Sequence, residues 1–163
     1  MKKDKKIKVL IALDYDPTAQ KVAETGYSYA KAMGAEVILL HVISDPVYYS
    51  SLDYSPIMGF TGYMDMGPLK LDSVEGLKKA SENYLIRISQ HLNDETIKVQ
   101  VKEGDFAETI LKAAKAMHAD LIVMGSHGRK WLEKIIMGSV TEKVLSQSSI
   151  PLIIIPTKNI SNY

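Results

Sequence analysis

The residues best suited to chemistry lie in one stretch: the run Met124-Gly125-Ser126-His127-Gly128, followed beyond residues 129–137 by Gly138-Ser139. Glycines so placed let backbone amides close on a phosphate chain. Upstream, Asp120 to Met124 reads DLIVM, a short apolar run suited to a parallel strand buried on both faces, and it feeds directly into Gly125. Downstream, Ser139 and Glu142 form an S-x-x-E pattern that predicts a capping box opening a helix with Val140, Val144 and Leu145 on its apolar side. Strand, glycine loop and helix N-terminus together make a context for anion binding. A plainer reading of the same residues is that Gly125 and Gly128 turn the chain and Ser139 caps a helix.

Other chemistry-bearing residues are sparser. His127 sits inside the glycine loop, but proton transfer needs a positioned partner and a reactive atom, and sequence supplies neither, so no catalytic residue is assigned. His41 falls within a strand, where a core histidine is expected; His91 and His118 fall at helix ends, where interaction with the last carbonyls suffices. Histidines scattered in this way have no metal-ligand spacing, and with no cysteine the chain has no disulfide framework, thiolate site or cysteine nucleophile. Trp131, beside Leu132, Ile135 and Ile136, reads as packing, with base stacking as the alternative. Neither a Walker G-x-x-x-x-G-K-[ST] nor a G-x-G-x-x-G is present.

Apolar runs at 7–13, 36–43, 97–101, 120–124 and 151–155 alternate with segments repeating every three to four residues. Strands alternating with helices predict a parallel sheet with right-handed crossovers. The first helix is expected to start at Asp16 as N-cap with Pro17 next, burying Ala19, Val22, Ala23, Gly26, Ala30 and Met33, a stripe whose small residues allow close seating on the sheet. Asp72-x-x-Glu75 and Asp105-x-x-Glu108 read as caps. They precede helices burying Val74, Leu77, Leu85, Ile88 and Leu92, and Ala107, Ile110, Leu111, Ala114 and Met117.

These residues carry a resemblance. Gly125-x-x-Gly128, nine residues, then Gly138-Ser139 is similar to the G-x2-G-x9-G-[ST] signature of ATP-binding members of the universal stress protein family. IKVLIALD, AEVILLHV, EGDFAETILKAAKAMHADLIVMGSHG and PLIIIP follow in the order that family has. The chain differs after Asp14, where it reads Tyr15-Asp16-Pro17-Thr18, and in a long insertion after strand two. The resemblance implies an α/β fold, a single open doubly wound five-stranded parallel sheet of order 3-2-1-4-5 with helices on both faces, of the adenine nucleotide alpha-hydrolase-like type. Ligands in such sheets bind beyond the carboxyl ends of the strands where the winding reverses, here between strands 1 and 4.

On that resemblance, adenine is expected near Leu13, Asp14 and the backbone of Val42, and phosphates over Gly125, Gly128, Gly138 and Ser139. Ala12, Met124, His127, Arg129, Val140 and Thr141 complete the candidate binding set. Asp14 can accept a ribose hydroxyl or share Mg2+ with the phosphates, the plainer alternative being a turn aspartate. Arg129 and Lys130 can reach phosphate oxygens or stand as exposed loop cations. Thr141 offers a second hydroxyl, though a first-turn threonine needs no ligand to explain it.

Composition bounds the rest. The 163 residues, 46% of them apolar, suit one domain with a continuous core. With 20 basic and 19 acidic side chains nothing suggests a nucleic-acid partner, and Lys2, Lys3, Lys5 and Lys6 read as a solvated leader over 1–6. No stretch has the apolar length to span a bilayer or serve as a signal-peptide core, so a cytoplasmic protein is expected. The Tyr/Met/Gly-rich segment 44–70 is expected to be a lid, a partner-binding loop or partly disordered, the plainer alternative being an ordered surface cover. The apolar final strand, 151–156, precedes a tail over 157–163 and is expected to pair two copies into a homodimer, as the resemblance also implies, the alternative being that the tail or a neighbouring loop folds back over the edge. The leading function is an ATP- or related adenine-nucleotide-binding regulatory module with an unidentified protein partner. The alternatives are a slow ATP hydrolase or nucleotide-transfer enzyme, and a dimeric scaffold without nucleotide.

Overall fold

The computed structural model describes residues 4–14, 18–44, 74–126 and 137–157. Within them the chain runs β1 (Lys8–Ala12), α1 (Ala19–Ala32), β2 (Glu36–Ile43), α2 (Val74–His91), β3 (Lys98–Glu103), α3 (Phe106–Ala116), β4 (Leu121–Gly125), α4 (Ser139–Gln147) and β5 (Leu152–Ile155). The strands form one parallel sheet of order β3-β2-β1-β4-β5.

Alternation along the strands sorts the core into two layers. Val9, Ile11 and Leu13 of the first strand segment, with Val37, Leu39 and Ile43 of β2, pack under α1 and α2; Leu10, Ala12, Ile38, Leu40 and Val42 pack under α3 and α4. Crossovers of one hand require this division, because the chain moves one way across the sheet through α1 and α2 and the other way through α3 and α4. The winding therefore reverses between β1 and β4.

The helices follow their predicted faces with identifiable departures. Ala19, Val22, Ala23, Gly26 and Ala30 are buried on α1, and a Cβ built on Gly26 would stand 2.9 Å from Val123 Cγ1 and 3.1 Å from Ile11 Cδ1, so this helix rests almost on the strands. Met33 is exposed instead, since it lies just past the end of α1 where the chain turns away through Gly34 (φ +63°). Thr18 already has helical dihedrals and makes no side-chain cap; the expected cap Asp16, with Pro17, lies outside the described residues. Asp72 lies outside them too, while on α2 Val74 and Leu92 are only partly buried. Asp105 caps α3 as predicted, its carboxylate accepting the Glu108 amide at 3.0 Å.

The capping box at Ser139 is corrected. Gly138 is the N-cap, in extended conformation (φ −65°, ψ 152°), and its carbonyl accepts the Glu142 amide at 2.9 Å, which makes Ser139 the first helical residue. Its neighbour Leu145, predicted apolar-side, is exposed, whereas Thr141 is buried beside Val144. Among the described residues no helix is long and apolar enough to cross a membrane.

Candidate functional site

The strands part at the winding reversal. Pairing between β1 and β4 ends at Ile11↔Val123, yet each strand continues with its outer neighbour: the Leu13 amide bonds to the Leu40 carbonyl at 2.9 Å, and β4 stays with β5 through Gly125↔Ile155 and the Ser126 amide on the Ile155 carbonyl at 2.8 Å. An opening therefore forms between Leu13-Asp14 on one side and Gly125-Ser126 on the other. Val42 has the same parity as Leu40, so its backbone groups point toward the β1 side one ladder step beyond the strand's end.

The two halves of the glycine signature meet on the far side of this opening. The Gly138 amide donates to the Ser126 carbonyl at 2.7 Å, so the chain that leaves β4 at Ser126 returns to the same point before starting α4. Thr141, buried on the first turn of α4, donates its hydroxyl to the Gly125 carbonyl at 2.8 Å and locks the helix start against the strand end. Glycine at the N-cap offers no side-chain acceptor, so the first-turn amides of Ser139, Val140 and Thr141 receive no side-chain cap from residue 138, and this positive helix end stands beside Ser126. Ser126 is tied further, its hydroxyl oxygen accepting the Thr157 amide at 3.0 Å.

The opposite wall is held by side chains. His41 Nδ1 lies 2.8 Å from the Leu13 carbonyl and the Tyr84 hydroxyl donates to the Asp14 carbonyl at 2.9 Å. A carbonyl only accepts, so Nδ1 carries the proton. Burial keeps this imidazole neutral by pushing its pKa below the ordinary 6.5, against the opposing pull of the Leu13 carbonyl and the nearby Asp14 carboxylate.

Of the sequence-predicted residues, Ala12, Leu13, Asp14, Val42, Met124, Gly125, Gly138, Ser139, Val140 and Thr141 stand at the ends of β1, β2 and β4 and the start of α4. Leu13, Val42, Met124 and Thr141 are buried, Asp14, Gly125 and Gly138 are half-buried, and Ser139 is exposed. His127, Gly128 and Arg129, with Lys130 and Trp131, lie outside the described residues, as does most of segment 44–70. Tyr84 and Thr157 were not anticipated. Tyr84 sits at helical spacing with Leu77, Ser81, Leu85 and Ile88, a pattern that was legible, whereas nothing local marks Thr157.

The profile of the universal stress protein family matches residues 7–156. The chain belongs to that family. Universal stress protein MJ0577 of Methanocaldococcus jannaschii is 30% identical over 155 residues, covering 93% of this chain and 96% of the relative. The solved structure of MJ0577 superposes with a TM-score of 0.68 over 94% of this chain and 97% of that one. Two more distant family structures share the fold: a universal stress protein in complex with cAMP (17% identity, TM-score 0.59, 93% and 98% coverage) and one from Archaeoglobus fulgidus in complex with dAMP (16%, 0.59, 91% and 97%). The sheet of this universal stress protein is the adenine nucleotide alpha-hydrolase-like arrangement of those relatives.

Proposed function

We propose that this universal stress protein is a regulatory module that binds ATP or a related adenine nucleotide in the opening between β1 and β4. The observation that carries the reading is the Gly138 amide on the Ser126 carbonyl at 2.7 Å, which brings Gly125 and Gly138 together beside a helix N-terminus whose N-cap residue has no side chain. Phosphates run over Gly125, Gly138 and Ser139, with His127, Gly128 and Arg129 from the intervening loop. Adenine lies against Leu13 and the backbone of Val42; the Leu13 amide and carbonyl are engaged within the protein, so Leu13 contributes surface. Asp14 accepts a ribose hydroxyl. Mg2+ enters with the phosphates if at all: among the described residues no group of three or more His, Asp or Glu is placed to hold an ion, so Asp14 would supply one oxygen to a metal held chiefly by nucleotide and water. Relatives solved with cAMP and dAMP support an adenine ligand class.

Occupancy then sets partner affinity in a cytoplasmic dimer, without efficient turnover, because phosphoryl transfer needs a water-positioning group in addition to a phosphate cradle. Mass spectrometry of ligand released from freshly purified, denatured protein identifies the nucleotide. Thermal unfolding with and without Mg-ATP tests the place: the parent gains stability, and Gly125→Val folds but gains none. Equal stabilisation of both proteins would remove the glycine loop from the site.

A further inference from the structure

We infer that Tyr84 and His41 are positioning residues for the nucleotide's ribose, acting by fixing the backbone of Asp14; the inference rests on the ribose role given to Asp14 above. The Leu13 carbonyl lies past the last β1–β2 pair, Ala12↔Leu40, and the Asp14 carbonyl past the last β1–β4 pair, Ile11↔Val123, and carbonyls at such strand ends require donors. Side chains supply them: His41 Nδ1–H to Leu13 at 2.8 Å and Tyr84 O–H to Asp14 at 2.9 Å, each from a residue only 2% exposed. These two carbonyls belong to the peptide planes on either side of the Asp14 Cα. Because each plane is rigid, holding both fixes φ and ψ of Asp14, and with them the direction in which its carboxylate leaves the chain. The Leu13 amide, bonded to Leu40, anchors the approach from the strand side.

The two donors also brace each other. Their rings meet edge to face, centroids 6.4 Å apart and planes at 79°, so neither can swing without displacing the other. His41 comes from β2 and Tyr84 from α2, which places two elements from opposite sides of segment 45–73 behind one carboxylate. The surrounding core is aliphatic, with Leu39, Ile43, Leu77, Leu85 and Ile88 fully buried. Packing alone calls for apolar residues at positions 41 and 84; two polar groups aimed at consecutive peptide units serve the geometry of Asp14.

The test compares affinity for ATP and for 2′,3′-dideoxy-ATP by calorimetric titration in the parent, Tyr84→Phe, His41→Leu and His41→Asn, with thermal unfolding of each. The parent is expected to prefer ATP by about tenfold, the size of one hydrogen bond to a charged acceptor. Tyr84→Phe and His41→Leu each cut that preference at least about threefold by weakening ATP binding while leaving the dideoxy analogue unaffected; His41→Asn, which can keep a donor near the Nδ1 position, retains it. A parent that binds neither nucleotide overturns the functional reading itself. If the parent binds both equally, the ribose role of Asp14 falls and the inference with it. Variants that lose thermal stability but keep the full preference make the pair merely structural, and if one variant does not fold the other decides.

Discussion

The hydroxyl oxygen of Ser126 accepts the Thr157 amide at 3.0 Å, fastening the residue that follows β4 to the chain leaving β5. Ser126 also donates its amide to the Ile155 carbonyl and accepts the Gly138 amide on its own carbonyl, so one residue joins the end of β4, the start of α4 and the terminal strand. Ser126→Ala is expected to lower stability by about 1 to 2 kcal/mol, the cost of leaving the amide of buried Thr157 without its acceptor. Urea unfolding measures it, and a cost below about 0.3 kcal/mol would mean that the backbone bonds alone hold this junction.

Ser139→Ala separates capping from ligand binding. Since Gly138 is the cap and Ser139 is the exposed first helical residue, the substitution should change stability by less than about 0.5 kcal/mol. A loss of ATP affinity alongside unchanged unfolding assigns the hydroxyl to phosphate. Unchanged affinity removes Ser139 from the site.

Gly26→Val should be among the costliest single changes on α1. The added side chain must displace Val123 Cγ1 and Ile11 Cδ1, both in buried strands beneath the helix, and overpacking of this kind costs about 1 to 3 kcal/mol. Denaturant melts read the loss directly. Retention of parental stability would show that α1 can lift off the sheet without penalty.

Acid should destabilise the protein in part through His41. Its folded-state pKa is depressed, so the unfolded chain binds the proton more readily; this contribution is fully present above the unfolded value of 6.5 and is lost as the pH falls below it toward the folded-state pKa. His41→Asn, which has no titrating ring, should lose less stability than the parent between about pH 7.5 and about pH 5. His91, exposed and 2.7 Å from Glu24, is common to both proteins and cancels in the comparison. Parallel pH profiles would mean that the buried ring does not titrate on unfolding.

Assembly follows from the sheet edges. Edge strand β3 carries exposed lysines at 98 and 102, which discourage pairing, whereas β5 presents half-buried Leu152, Ile153 and Ile154 between Pro151 and Pro156. Ile154→Lys is expected to convert a dimer into a soluble monomer by setting a charge in the paired strand near its own copy. Sedimentation velocity of both proteins checks it: a monomeric parent, or a mutant that stays dimeric, would sink edge pairing.

Strand positions were legible in the sequence because buried parallel strands need unbroken apolar runs, the sheet order was implied by the family resemblance, and the approach of Gly138 to the end of β4 was implied by the spacing of the glycine signature. Other features depend on geometry that only the folded chain defines. S-x-x-E matches a helix start equally well with serine at the cap or one residue inside it, and the folded chain places Gly138, in extended conformation, at the cap. Leu145 reads as apolar-side by spacing, yet a helix of this length presents only Thr141 and Val144 as fully buried residues. Tyr84 was missed because an aliphatic stripe accounts for α2 without it, and a hydroxyl's partner 70 positions away leaves no local trace.

The parting of β1 from β4 is drawn in backbone hydrogen bonds, each strand continuing with its outer neighbour past the last shared pair. If the proposed site is the place of binding, a lineage can replace side chains on the rim one after another, and with them the small molecule that is held, while the place of holding stays where it is. On the proposed site, specificity would be rewritten at Asp14, Ser139 and Val140, which are not fully buried, with the strand register left untouched.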